Sequence, residues 1–126
     1  MLLPFAQKEK IVWTNHVKDK MRYYRLSENR VLNILRKPRR REEGIAEGTI
    51  AAMQPAGTKK NPKEIWMMYQ LINSKLQNPN YKQLLKMRKI KIISAWRYPG
   101  VTPLGARPIL PEDTISKLES LIKEEP

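Results

Sequence analysis

Proline 38, set inside Arg36-Lys37-Pro38-Arg39-Arg40-Arg41, divides this chain into two kinds of local structure. Its ring blocks an incoming helix and removes a backbone donor, so helical periodicity arriving from the amino-terminal side must stop there. Before it, apolar residues recur three and four apart; beyond Gly44, short apolar runs alternate with turn residues. The same run packs five cations into six residues, and the chain carries 25 Lys+Arg against 12 Asp+Glu, a formal charge of +13 on 126 residues. Such a surplus repels itself in a compact state, so a polyanionic partner is expected, nucleic acid first, through release of phosphate counterions.

Ile11-Val12-Trp13 is a short β-prone run. Thr14 or Asn15 can then cap a helix with Val17, Met21 and Tyr24 inward and Lys18, Asp19, Lys20, Arg22 and Arg25 elsewhere. Ser27 reads as a second N-cap, with Glu28 in the first turn and Val31, Ile34 and Leu35 as the buried stripe, Leu32 at its edge. Arg36 and Lys37 sit where the carboxyl end of a helix dipole favours cations.

Past Gly44, Thr49 to Gln54 offers a weak strand and Pro55 to Pro62 turn chemistry. Glu64 to Gln70 reads as a buried strand and Ile90 to Arg97 as its neighbour. Leu71 to Lys89 is too long for a tight hairpin and is expected to be an excursion with a short helix around Tyr81 to Met87. Tyr98-Pro99-Gly100 ends the last strand. Pro111 to Glu125 predicts an amphipathic helix with Ile115, Leu118, Leu121 and Ile122 on one face. Its segment is acidic: Glu112, Asp113, Glu119, Glu124 and Glu125 stand against Lys117 and Lys123, an arrangement that serves solubility or folds back on the basic body. The order predicts an α+β protein: two amino-terminal helices on a curved, mostly antiparallel sheet of three to four strands, plus a carboxyl-terminal amphipathic helix. A single domain over residues 1–110 with a helical extension over 111–126 fits the length.

With no cysteine and one histidine, disulfides and a structural zinc site are excluded, and no cofactor is expected. Three Trp and five Tyr argue against a wholly disordered basic protein. Met1 to Ala6 is too short for a signal-peptide core, and no stretch reaches membrane-spanning length, so a cytoplasmic protein without a membrane partner is the expectation.

His16 with Lys20-Met21 on the first helix, Ser27 and Val31 on the second, the Pro38 stop, Glu42-Glu43-Gly44 and a strand ending in Trp96-Arg97 resemble, over Ile11 to Gly100, the small domains of unknown function grouped with RelE/ParE-like toxins. These belong to the wider barnase–EndoU–colicin–RelE assemblage. The resemblance implies a curved antiparallel sheet on two helices. It also implies either metal-independent RNA cleavage or binding of a target without cutting, RNA more readily than DNA, and an antitoxin-like protein partner covering the basic groove. The excursion over Leu71 to Lys89 and the terminal helix depart from that pattern.

Metal-free RNA cleavage needs a base, an acid and a cation at the phosphorane. His16 is the only side chain that titrates unaided near neutrality, with Lys20 one turn on; the alternative is a capping or surface histidine. Arg97 alternates with Ile93 and Ala95 and could clamp a phosphate, or pair with Glu42 or Glu43. Tyr69, ending the preceding strand, would lie near Arg97 as a stacking or proton-donating phenol, or serve as packing. His16, Tyr69 and Arg97 are thus the catalytic candidates. Lys20, Arg36, Lys37, Arg39, Arg40 and Arg41 are the nucleic-acid-binding candidates, with a solvated charge run as the alternative. Trp66 and Trp96 are expected to be structural. A non-catalytic module of the same fold, or a partner-binding protein docking through the terminal helix, competes with the nuclease reading.

Overall fold

A computed structural model describes residues 10–46, 48–72 and 89–124. Along the chain these form β1 (Lys10–Trp13), α1 (Asn15–Tyr24), α2 (Glu28–Arg36), β2 (Arg40–Glu43), β3 (Thr49–Gly57), β4 (Pro62–Ile72), β5 (Lys89–Tyr98) and α3 (Glu112–Lys123). The class is α+β, as expected. The sheet is larger than expected and mixed: five strands among the described residues in the order β1-β5-β4-β3-β2, with β1 parallel to β5 and the remaining pairs antiparallel. The extra strand is β2, built from Arg40-Arg41-Glu42-Glu43, a composition that propensity alone does not assign to a sheet.

The helix caps fall where the hydroxyls are. Thr14 accepts from the Val17 amide, and its own hydroxyl donates to the carbonyls of Ile92 and Ile93, which locks the start of α1 to β5. Ser27 accepts from the Arg30 amide and opens α2. α1 closes in a Schellman turn: the Leu26 amide reaches the Met21 carbonyl at 2.8 Å, and Arg25 takes a left-handed φ of 57°. α2 stops at Arg36, two residues before Pro38.

Each sheet face buries its own core. On one, Val17, Met21, Val31, Ile34 and Leu35 of the helices meet Ala52, Met67, Tyr69, Ile92 and Ala95. On the other, Trp66 and Trp96, paired across β4 and β5 and stacked with centroids 6.3 Å apart, meet Met53, Ile93, Leu118 and Leu121. Both Trp rings are therefore structural, as expected. α3 shares this second core with the sheet. Its buried stripe is Thr114, Leu118 and Leu121, and Ile115, expected inward, is 53% exposed. Rotation is set by Thr114, whose hydroxyl has partners only in the interior.

Two details of register depart from the sequence reading. A bulge where β4 steps from Met68 to Tyr69 moves the partner from Ser94 to Ile92, leaving Ile93 unpaired and facing the same side as Ser94 and Trp96. Arg97 thus alternates with Ala95 but not with Ile93. β3 also continues through Pro55, which is tolerated because β2 pairs no further than Met53. The real turn is Thr58 to Asn61, closed by the Thr58 amide on the Asn61 carbonyl at 3.1 Å. Gly57 enters it at φ 77°, and a Cβ there would overlap the Asn61 carbonyl oxygen. The expected helix around Tyr81 to Met87 lies outside the described residues.

Candidate functional site

The three catalytic candidates occupy three separate settings. His16, on α1, is 6% exposed; its Nε2 lies 2.8 Å from the Thr114 hydroxyl, which is 3.0 Å from the Ser94 hydroxyl. Burial holds the imidazole below its ordinary pKa, against a smaller opposing pull from Asp113. Beside it, Lys20 donates to both carboxylate oxygens of Asp113 at 3.0 and 3.1 Å. Burial alone would raise the Asp113 pKa, but the hydrogen bond and charge of Lys20 prevail and lower it. These contacts join α1 to the start of α3, so Lys20 is 9% exposed and engaged with a carboxylate and not with solvent.

Arg97 pairs with neither Glu42 nor Glu43. Its Nε donates to the Tyr24 carbonyl at 2.8 Å and its Nη2 to the Arg25 carbonyl at 3.5 Å, satisfying the end of α1. Tyr69 is 5% exposed in the helix-side core. It stands opposite Ile92, whereas Arg97 stands opposite Ile65. Four residues of β4 separate them, about 13 Å at strand rise. β4 runs on to Ile72, so Tyr69 is not the strand end that would bring the phenol to the guanidinium. The structure does not gather His16, Tyr69 and Arg97 into one concavity.

The basic run behaves differently. Arg40 points inward and organises a buried polar network. Its Nε and Nη2 donate to Glu42 at 3.1 and 2.8 Å, and Nη1 reaches the Thr102 carbonyl at 3.2 Å and hydroxyl at 2.9 Å. Nη2 also reaches the Pro103 carbonyl at 2.9 Å, and the guanidinium lies 5.3 Å from the Trp66 ring centroid. Behind it sits Glu64, 2% exposed and 3.5 Å from Arg40, accepting from the Trp66 indole at 2.9 Å and from the Thr102 amide and hydroxyl at 3.2 and 2.8 Å. Arg40, expected among the phosphate contacts, is thus largely engaged by internal partners.

Its neighbours face out. Arg36, Lys37, Arg39 and Arg41 are exposed and have no ion pair among the described residues, and the same holds for Lys59, Lys60 and Lys63 at the β3–β4 tip. Alternation along β2 sends Arg41 to the face opposite Arg40, where with Arg36 it flanks a cleft of about 340 Å³ that also contains Tyr69 and Leu71. Arg39, whose amide bonds the Met53 carbonyl, opens instead onto an open basin of about 910 Å³. Met53, Pro55 and Ala56 line one side of that basin, Val101 and Leu104 the other, and Lys59 and Lys63 stand at its margin with Arg39. The sequence reading missed this basin because its far wall comes from residues 101–104, which carry only turn signals.

No known family model, curated protein or solved structure matches the chain.

Proposed function

We propose that this protein is a nucleic-acid-binding module that grips the sugar–phosphate chain through the exposed cations around its basic run, without cutting it. The observation that carries this reading is how the charge is distributed. Among the described carboxylates, Asp19, Glu42, Glu43, Glu64, Asp113 and Glu119 each have a cationic partner. The remaining three, Glu28, Glu112 and Glu124, lie at the start of α2 and on or just beyond α3. Cations without an ionic partner among the described residues also occur singly, at Lys18, Arg25 and Lys117 for example. Seven exposed ones, however, are concentrated in two places, residues 36–41 and the β3–β4 tip, and Arg39, Lys59 and Lys63 of these border the basin. Concentrated, solvent-exposed Arg and Lys of this kind are the footprint of phosphate binding.

Binding is favoured over cleavage because His16 is enclosed between α1 and α3, Arg97 is engaged by the α1 carboxyl end, and Tyr69 is core. RNA is the first polymer to test, on the strength of the RelE/ParE-like resemblance. Such a relationship would also make the cationic surface the place for an antitoxin-like partner.

The test is fluorescence anisotropy of a labelled RNA oligomer titrated at increasing salt. Affinity should fall about 300-fold between roughly 50 and 200 mM salt if about six phosphates of a single strand are engaged. Arg39→Ala, Arg41→Ala and Lys59→Ala should each reduce the log–log salt slope by about one. A slope near zero in the wild type refutes the reading. Intact RNA after prolonged incubation separates binding from cleavage; degradation abolished by His16→Ala in a folded variant would restore the nuclease.

A further inference from the structure

The basin beside Arg39 has features that phosphate binding alone does not require. Electrostatic attraction to a duplex backbone asks only for cations on a convex or shallow surface. Here the exposed Arg39, Lys59 and Lys63 border a concavity whose walls are largely aliphatic, with Arg40, Glu64 and Thr102 of the internal network also lining it. Two of those wall residues are strongly exposed: Val101 at 63% and Leu104 at 86%. Large apolar side chains set in water beside unpaired cations mark a recognition surface. Its volume of about 910 Å³ lies within the range of small-molecule sites.

The far wall is also held in place. Arg40 ties down the Thr102 carbonyl and hydroxyl and the Pro103 carbonyl, Glu64 holds the Thr102 amide, and Glu42 accepts from the Gly105 amide at 3.2 Å. Five contacts from three buried or half-buried charged side chains fix the backbone that presents Val101 and Leu104. The near wall belongs to the β3–β4 hairpin. A cavity formed in advance gives up little conformational entropy when filled.

We infer that this basin receives an unstacked base of single-stranded nucleic acid, while Arg39, Lys59 and Lys63 hold the flanking phosphates. The inference rests on the nucleic-acid reading above and names its substrate class. The charge pattern matches a nucleotide strand, in which a flat apolar ring sits between two anions. In a duplex the ring faces are stacked and cannot enter the basin, so the site selects single strands. Aliphatic walls contact any ring face, which makes the preference one of strandedness and not of sequence.

The test compares two labelled oligomers of equal length and charge, one of deoxythymidine and one of abasic tetrahydrofuran residues. Wild type should bind the thymidine oligomer about tenfold more tightly, equivalent to about 1.4 kcal/mol. The double variant Val101→Ser/Leu104→Ser, altering two exposed residues whose loss leaves the core untouched, should bind both oligomers alike with an unchanged salt slope. Equal affinity of the wild type for both oligomers overturns the base-binding basin while leaving phosphate binding intact. Failure of both oligomers to show salt-dependent binding refutes the parent reading instead. Displacement of the thymidine oligomer by an acidic, apolar peptide, with no discrimination between the oligomers, would reassign the basin to a protein partner.

Discussion

Replacing Arg40 by methionine separates the structural role of the basic run from its surface role. The guanidinium is the common donor for Glu42, Thr102 and Pro103 and, among the described residues, the only cation paired with the nearly inaccessible Glu64. Removing one member of a buried pair generally costs about 3–5 kcal/mol, because the other charge stays buried and uncompensated. Here Glu64 keeps three hydrogen bonds from Trp66 and Thr102, and Glu42 keeps one from Gly105. That retained solvation places Arg40→Met near the low end, about 3 kcal/mol. At about 3–6 °C per kcal/mol for a chain of this size, the melting temperature should fall by about 9–18 °C. Urea unfolding followed by tryptophan fluorescence is the suitable assay, since Trp66 bonds directly to Glu64. Adding Glu64→Gln should recover about 1–2 kcal/mol relative to additivity. Arg39→Ala, one residue away and exposed, should change stability by no more than about 0.5 kcal/mol. A loss below about 1 kcal/mol for Arg40→Met, or a strictly additive cycle, would refute the claim that Arg40 compensates a buried carboxylate.

The lowered pKa of His16 means that the unfolded chain binds the extra proton first, so stability should decline as pH falls below about 6.5. In His16→Gln that decline should largely disappear between about pH 7 and 5, as thermal melts across that range would show. Asp113, also lowered, contributes stability that is lost at more acidic pH, beginning in the ordinary carboxylate range and continuing below it. Arg25→Gly should stabilise the protein by about 0.5–1 kcal/mol in chemical denaturation, because a left-handed backbone strains any residue with a Cβ. Gly57→Ala should destabilise by about 1–3 kcal/mol, and the displaced tip should weaken oligomer binding at low salt.

The helical half of the molecule was readable because its signals are local. Thr14 and Ser27 cap where their hydroxyls reach a nearby amide, and Pro38 forbids continuation, all within a few residues. The sheet needed long-range information. Nothing near Ile11 says that it will pair in parallel with Ile90, and nothing in Arg40-Arg41-Glu42-Glu43 announces a strand, because its partners lie on β3. The bulge at Ile93 shows the sharpest failure: one extra residue reversed the face of everything before it, and strict alternation could not detect the insertion. The candidate site failed for a related reason. His16, Tyr69 and Arg97 are chemically suited to cleavage, yet each is consumed by a tertiary contact that its immediate neighbours do not specify. The exposed cations were legible from charge excess, whereas the one that turned inward, Arg40, was distinguishable only once Glu64 lay behind it.

β2 leaves one flank of the sheet without a neighbouring strand among the described residues, and that flank consists of four ionised side chains. Open strand borders recruit other chains into continuous ladders, and ionic residues there discourage such growth. The arrangement lets a protein with large aromatic cores remain dispersed while keeping its cations at the surface. Rewriting Arg41 and Glu43 as valine would supply the missing template, and the expected consequence is concentration-dependent oligomers, visible by light scattering before any loss of secondary structure.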